Sequence, residues 1–314
     1  MDARDKRGHD GSEMVWKKRF KRTVNRAAGA IAVALLRLLR HTDPDRMARV
    51  AGFIVRKTGP LLREHRLGRD NLTKAFPEKS PREIDGILTN VWDNLGRLST
   101  EFAHLDRLWD WDPNRGTFER IEFTPQSEVN FIKLRDDGKP ALVFAAHLGN
   151  WELPALAAPA HGLDSAVVYR MPNIGNAAAA IRDMRAVVMG ELIQTTFDTG
   201  FKVARALERG AHVGMLVDQY SVQGVDVQFF GRPTKANSMI ARLAREFECP
   251  IHGARVIRLP EHRFRLELTD EVTPIRDTDG RIDIQPTMQK ITAVVEQWVR
   301  EYPDQWLWLH RRWR

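Results

Sequence analysis

The segment His147-Leu-Gly-Asn-Trp-Glu152 sets an imidazole five positions ahead of a carboxylate. Few side-chain pairs can move a proton near neutral pH, and this is one of them. If the Glu152 carboxylate accepts the Nδ1 hydrogen, it fixes the tautomer and stabilises the imidazolium, leaving Nε2 free to take a proton from an incoming hydroxyl. With no protein nucleophile beside it, such a base suits direct transfer of an acyl group to an alcohol, where general-base help is typically worth about 10²–10⁴-fold. Spacing alone does not single the pair out. His65/Asp70 and His262/Glu267 repeat it, and ten histidines among 41 acids in 314 residues make about one such pair expected by chance.

Context separates the three. His65/Asp70 sits in a polar, arginine-rich helical stretch, and His262/Glu267 in an alternating strand where an offset of five puts the side chains on opposite faces. His147 instead ends the apolar run Ala141–Ala146; Leu148-Gly149 turns the chain, and Asn150 is suited to cap a helix over Trp151–Ala160. A strand end meeting the first turn of a helix is the usual ligand site of α/β sheets.

The surrounding pattern predicts an α/β fold: an N-terminal helical layer over residues 41–115, then an α/β core over 116–314 with a mixed, largely parallel sheet flanked by helices. Asp43-Pro44, Gly59-Pro60 and Ser80-Pro81-Arg82-Glu83 are helix starts, and Ile84, Leu88, Val91, Leu95, Leu98 and Phe102 form one apolar face of a helix over Pro81–Leu108. Beyond Thr117, short apolar runs alternate with helical segments. Strands are expected at Ala141–Ala146, Ser165–Tyr169, His212–Val217, Val225–Phe230, Ile251–Arg258 and Phe264–Leu268. Helices are expected at Ala177–Met189, Lys202–Arg209, Ser238–Phe247 and Pro286–Glu301. The chain has no G-x-S-x-G, P-loop, G-x-G-x-x-G or H-E-x-x-H motif, so the common hydrolase, nucleotide and zincin signatures are missing.

A net charge of +8, with 37 of the 49 cations arginine, implies an anionic partner: nucleic acid, an acidic membrane face or a phosphorylated substrate. Outside the N-terminus the cations are interleaved with acids, which argues against a continuous nucleic-acid face. A lone Cys249 excludes an internal disulfide and fits a reducing cytosol. Residues 1–40 read as a basic leader and a membrane-associating helix. Lys17, Lys18, Arg19, Lys21, Arg22 and Arg26 come with no acid, and the apolar run Ala27–Leu36 is too short to span a bilayer, which needs about 20 residues. It fits a basic amphipathic helix in the interface of an anionic membrane.

His147-Leu-Gly-Asn-Trp-Glu152 resembles the HX4(D/E) motif of glycerolipid acyltransferases, and in this form the lipid A late acyltransferases, of lauroyl/myristoyl type, of Gram-negative bacteria. The similarity extends through Asn71-Leu72, Ala75-Phe76-Pro77-Glu78, Val168-Tyr169-Arg170 with Asn173, Gly210–Gln219, Phe229-Phe230-Gly231 and Gln305–Trp313. The resemblance implies transfer of a fatty acyl chain from acyl carrier protein to a hydroxyl of an acyl chain on the Kdo-bearing lipid A precursor. Within the same chemistry it leaves open a very-long-chain hydroxyacyl donor or another glycolipid acceptor; a non-catalytic basic membrane- or nucleic-acid-binding protein is the rival class. It implies His147 as general base with Glu152 as its orienting partner, and Arg170, Arg185 and Asp218 as substrate-binding residues, with Arg182 one turn from Arg185. Asp218 is expected to organise such an arginine. No metal and no cofactor beyond the acyl donor are implied, and no nucleic acid. The setting is the cytoplasmic face of the inner membrane, reached by a single N-terminal anchor or monotopically.

Overall fold

A computed structural model describes residues 30–31, 33–34, 37–112, 114–171 and 177–314. The leader, the basic stretch 14–26 and Asn173 lie outside the described residues. Of the expected interfacial helix, residues 30–31, 33–34 and 37–39 are described and are helical. Among the described residues no helix is long and apolar enough to cross a membrane.

The N-terminal layer is built from α1 (Pro44–Thr58), α2 (Arg63–Ala75), α3 (Pro81–Glu101) and α4 (Leu105–Leu108). Asp43 accepts the Arg46 N–H at 2.8 Å to start α1, and Ser80 with Glu83 closes a reciprocal capping box on α3. The helix expected to run on to Leu108 tightens after Glu101 into a 3₁₀ turn, Phe102–His104. This leaves Glu101 facing one cluster while Leu105 and Leu108 reach another. Helices α1 and α3 approach closely: a Cβ on Gly96 would lie 2.5 Å from the Ala51 carbonyl oxygen, and one on Gly52 2.8 Å from Asp93.

There follow β1 (Ile121–Phe123), α5 (Pro125–Asp136), β2 (Leu142–Ala145), α6 (Pro154–Ala160), β3 (Ser165–Tyr169), α7 (Ala177–Val188), β4 (Glu191–Gln194), α8 (Thr199–Glu208), β5 (His212–Leu216), β6 (Tyr220–Phe229), β7 (Arg232–Ala236), α9 (Met239–Phe247), β8 (Ile251–Arg258), β9 (Phe264–Leu268) and α10 (Ile284–Glu301). Seven strands form one sheet in the order β1-β9-β8-β2-β5-β3-β4, parallel except where β8 meets β9, while β6 and β7 pair as a separate ribbon. The α/β class and the largely parallel sheet are as the alternation of apolar runs predicts. Three strands escaped that reading for physical reasons. β1 has three residues around a glutamate, β4 opens on an exposed Glu191, and β7 carries Arg232, Pro233 and Lys235 in a two-stranded ribbon.

The pleat sorts each strand into two faces. Leu142, Phe144, Ala166, Val213 and Met215 point into a core shared with α2, α3, α9 and α10. On the opposite face Val143, Ala145, Val167 and Gly214 border a cavity roofed by α5, α6 and α7.

Candidate active site

β2 lies at the centre of the sheet, and His147 follows two residues past its end. The turn after it reverses through Gly149 at φ +59°, where a Cβ would stand 2.2 Å from the Val256 carbonyl oxygen. The C-terminal segment holds this turn like an extra strand. Leu148 bridges Trp306, the Gly149 N–H donates to the Gln305 carbonyl at 3.0 Å, and the Leu307 N–H donates to the His147 carbonyl at 3.0 Å. Asn94 donates to the Gly149 carbonyl at 3.1 Å. Asn150 donates at 2.9 Å to Glu101, whose carboxylate is gripped by both ends of the Arg258 guanidinium. Helix α6 begins at Pro154, not at Trp151 as expected, because the proline takes the first helical position. Trp151 and Glu152 thus stay in the turn, with the Glu152 N–H donating to Asn150 Oδ1 at 3.3 Å.

His147 is 13% exposed, and its partner is Asp218. Nδ1 lies 2.8 Å from Asp218 Oδ1, and the His147 backbone N–H donates to Oδ2 at 2.8 Å. The buried Trp306 indole N–H donates to the same Oδ2 at 2.8 Å. With Nδ1–H committed to a carboxylate, Nε2 is left as an acceptor, and the Gln219 amide nitrogen stands 3.3 Å from it. The ring packs edge-on against Trp151 at 5.0 Å. Burial disfavours the charged imidazole, but the Asp218 carboxylate outweighs it and holds His147 above its ordinary value. Burial would likewise raise Asp218, yet the charge and hydrogen bonds of His147 keep it well below the usual carboxylate range.

The contact expected between His147 and Glu152 is not made. Glu152 is taken by Arg185, whose Nε and Nη2 reach its two oxygens at 2.8 and 2.5 Å. Asp218, expected to organise an arginine, instead holds the histidine. The reason is geometric: β2 and β5 are adjacent parallel strands with Ala145 opposite Leu216, so the residues two beyond each, His147 and Asp218, meet at the carboxyl edge. Arg185 is packed over the rings of Phe102 and Tyr169 at 5.3 and 5.8 Å, whereas Arg182 is exposed and pairs with its neighbour Asp183. Arg170 is exposed and lines the mouth of the cavity. The two rival histidine–acid spacings are dispersed: His65 accepts the Trp92 indole N–H, and Glu267 binds Arg255.

The cavity that begins at His147, Trp151, Glu152 and Arg185 holds about 660 Å³ and runs back along the sheet beneath α5 and α6. Its walls are mainly Leu, Val, Ala, Met and Phe side chains. Among the described residues no cluster of His, Cys, Asp and Glu is arranged to hold a metal ion.

A family model described as bacterial lipid A biosynthesis acyltransferase matches residues 16–314. The chain belongs to that family. No individual curated protein matches it.

In this acyltransferase the cavity and the polar cluster at its mouth come from elements far apart in the chain. Residues beyond the sequence expectations join the site: Trp306 and Gln219 around the His147–Asp218 pair, and Glu101, Arg258 and Asn94 beneath the turn, where Asn150 meets Glu101. Gln219 and Trp306 lie within segments that resemble the late acyltransferases, so a signal for them existed. For Glu101 and Arg258, 157 residues apart, no local pattern announces the pair.

Proposed function

We propose that the enzyme transfers a fatty acyl chain from the thioester of acyl carrier protein to a hydroxyl of an acyl chain on the Kdo-bearing lipid A precursor, with His147 as general base and Asp218 as its orienting partner. The observation that carries this reading is the His147 ring itself, tied through Nδ1 to a buried carboxylate while Nε2 opens on a long apolar cavity. The acceptor hydroxyl gives its proton to Nε2 as its oxygen attacks the thioester carbonyl. Asp218 stabilises the resulting imidazolium, and the tetrahedral intermediate collapses by expelling the thiolate, which takes the proton from Nε2. The balance closes with a base alone and calls on no further cofactor. Arg185 keeps N–H groups free of protein partners among the described residues, and these suit the developing oxyanion or a phosphate of either substrate. Arg170 at the mouth would meet a substrate phosphate or the acidic donor.

The acceptor stays in a bilayer, so the mouth must open at the membrane surface. Helix α1 supports a second membrane contact beside the N-terminal segment. It buries only Ala48 and Gly52, while Val50, Phe53 and Ile54, followed by Leu61 and Leu62, are exposed amid Arg49, Arg56, Lys57 and Arg63. Large apolar groups facing outward with cations around them fit an anionic lipid surface.

The test is a purified assay with acyl carrier protein thioester and Kdo-bearing precursor, read by mass spectrometry. A product heavier by one acyl chain is expected; an unaltered precursor under saturating donor contradicts the reading.

A further inference from the structure

Gly214 lies in the middle of β5, the strand between β2 and β3 in the sheet. A glycine inside a strand weakens it and packs against nothing, so its presence calls for a local cause. The common causes do not apply. Its φ is outside the left-handed region, and the pairing runs unbroken through it, with Val143 opposite on β2 and Val167 opposite on β3, so there is no bulge. Nor is it crowded: a Cβ there would come no closer than 3.9 Å to any described residue beyond its chain neighbours, the nearest atom being the Ala166 carbonyl oxygen. Gly253 in β8 shows the contrast, since the rings of Phe144 and Trp298 would stand 2.7 and 2.8 Å from its Cβ.

The remaining cause of a strand glycine is a ligand that comes close against the backbone. The open side of Gly214 is the cavity. It is half-buried although strands flank it on both sides, and it borders the cavity together with Val143 and Val167. Those valines stand two strand spacings apart, about 9.6 Å at roughly 4.8 Å each, with bare backbone between them. The result is a trough the width of one alkyl chain. Ala145 stands opposite Leu216, so the level of His147 lies four strand steps beyond Gly214, about 13 Å at roughly 3.3 Å per residue, or about ten carbons of an extended acyl chain. The cavity continues past Gly214. Leu163, which precedes β3, still lines it, as does Leu134, whose carbonyl meets His212 at 3.0 Å two residues before Gly214.

We propose that Gly214 is a specificity-determining residue: lacking a side chain, it lets the part of a donor chain beyond about ten carbons lie on the sheet backbone and pass to the far end of the cavity. The inference rests on the reading that the donor thioester is attacked at His147. A side chain at position 214 would project between Val143 and Val167 and close the trough. Short chains would still find the His147 end open.

The test compares transfer of decanoyl and palmitoyl groups from acyl carrier protein to the Kdo-bearing precursor by the full chain, as the ratio of their kcat/KM values. In Gly214→Val, a substitution that suits a strand, the palmitoyl value is expected to fall about 100-fold or more, at about fourfold for each methylene denied burial, while the decanoyl value stays within about threefold of the wild type. Gly214→Ala, which removes a strand glycine without a clash, should unfold in urea at or above the wild-type midpoint and lower the palmitoyl-to-decanoyl ratio several-fold. An unchanged ratio in a folded Gly214→Val protein overturns the proposal, as does equal loss of both donors; if that variant does not fold, an unchanged ratio in Gly214→Ala overturns it. A wild type that transfers decanoyl but not palmitoyl groups overturns the role of Gly214 and leaves the acyl-transfer reading standing. Transfer of neither removes that reading and the proposal with it.

Discussion

Two histidines feel the charge of Asp218 and are driven in opposite directions. His147 shares the carboxylate directly and is held above its ordinary value, so the neutral ring needed for proton abstraction grows in as pH rises past the usual imidazole range. In Asp218→Asn the acid limb of the pH–rate profile should move down, and kcat should fall by about 10²–10⁴-fold as the tautomer and the imidazolium lose their support. A profile that keeps its limb would assign Asp218 a purely structural place. His310 packs against Trp306, gives its Nδ1–H to the Leu307 carbonyl at 2.6 Å, and has no partner at Nε2 among the described residues. Burial pushes it from 6.5 down to about 4, against the pull of Asp218 and with the push of His147 and Arg312. Between those values the unfolded chain binds a proton that the folded one refuses, so stability rises with pH across this window, and acidification through it costs about 3 kcal/mol. His147 has the opposite sign, its contribution fading only above the ordinary imidazole range. Urea unfolding at pH 7 and near pH 4.5 should show the loss in the wild type and a flatter dependence in His310→Phe.

The element that positions this chemistry is a turn, and how much of it can be read locally follows from what holds it. An apolar strand followed by His-Leu-Gly-Asn announces the strand end, the turn and the place of the imidazole. The partner of that imidazole lies 71 residues on, and the segment bracing the turn lies at the chain's end. Local spacing therefore points to Glu152, while the parallel register of β2 and β5 delivers Asp218. The resemblance pointed to Asp218 and Arg185; which carboxylate His147 and Arg185 each hold depends on a pairing that no short window contains. Gly149→Ala tests the turn. Its positive φ and the 2.2 Å approach of a Cβ to the Val256 carbonyl leave no room to relax, so a loss of about 2 kcal/mol or more by urea unfolding is expected, with activity falling alongside. Unchanged stability and activity would mean that the Leu148–Trp306 bridge does not govern the site.

Over the whole molecule, the rhythm of short apolar runs and helical segments was enough to foretell the class and the mostly parallel sheet, because buried parallel strands are apolar throughout. It did not reveal β1, β4 or β7, which are short or polar and owe their form to their neighbours. The surplus of +8 takes on meaning at this scale alone. Around α1, exposed apolar side chains lie among arginines and lysines, and inward-facing small residues are what free the large ones to face outward. Binding to anionic vesicles should weaken as salt rises and should fall several-fold in the double variant Phe53→Ser, Ile54→Ser, measured by co-sedimentation. Equal sedimentation of variant and wild type would take α1 out of the membrane contact.

The most direct measurement of the central proposal is the rate of acyl transfer by His147→Ala beside the wild type, with urea unfolding of both at the same pH. Loss of transfer by about 10²-fold or more with an unfolding midpoint close to the wild type is expected. A folded His147→Ala protein that transfers at near the wild-type rate would contradict the assignment of His147 as the base.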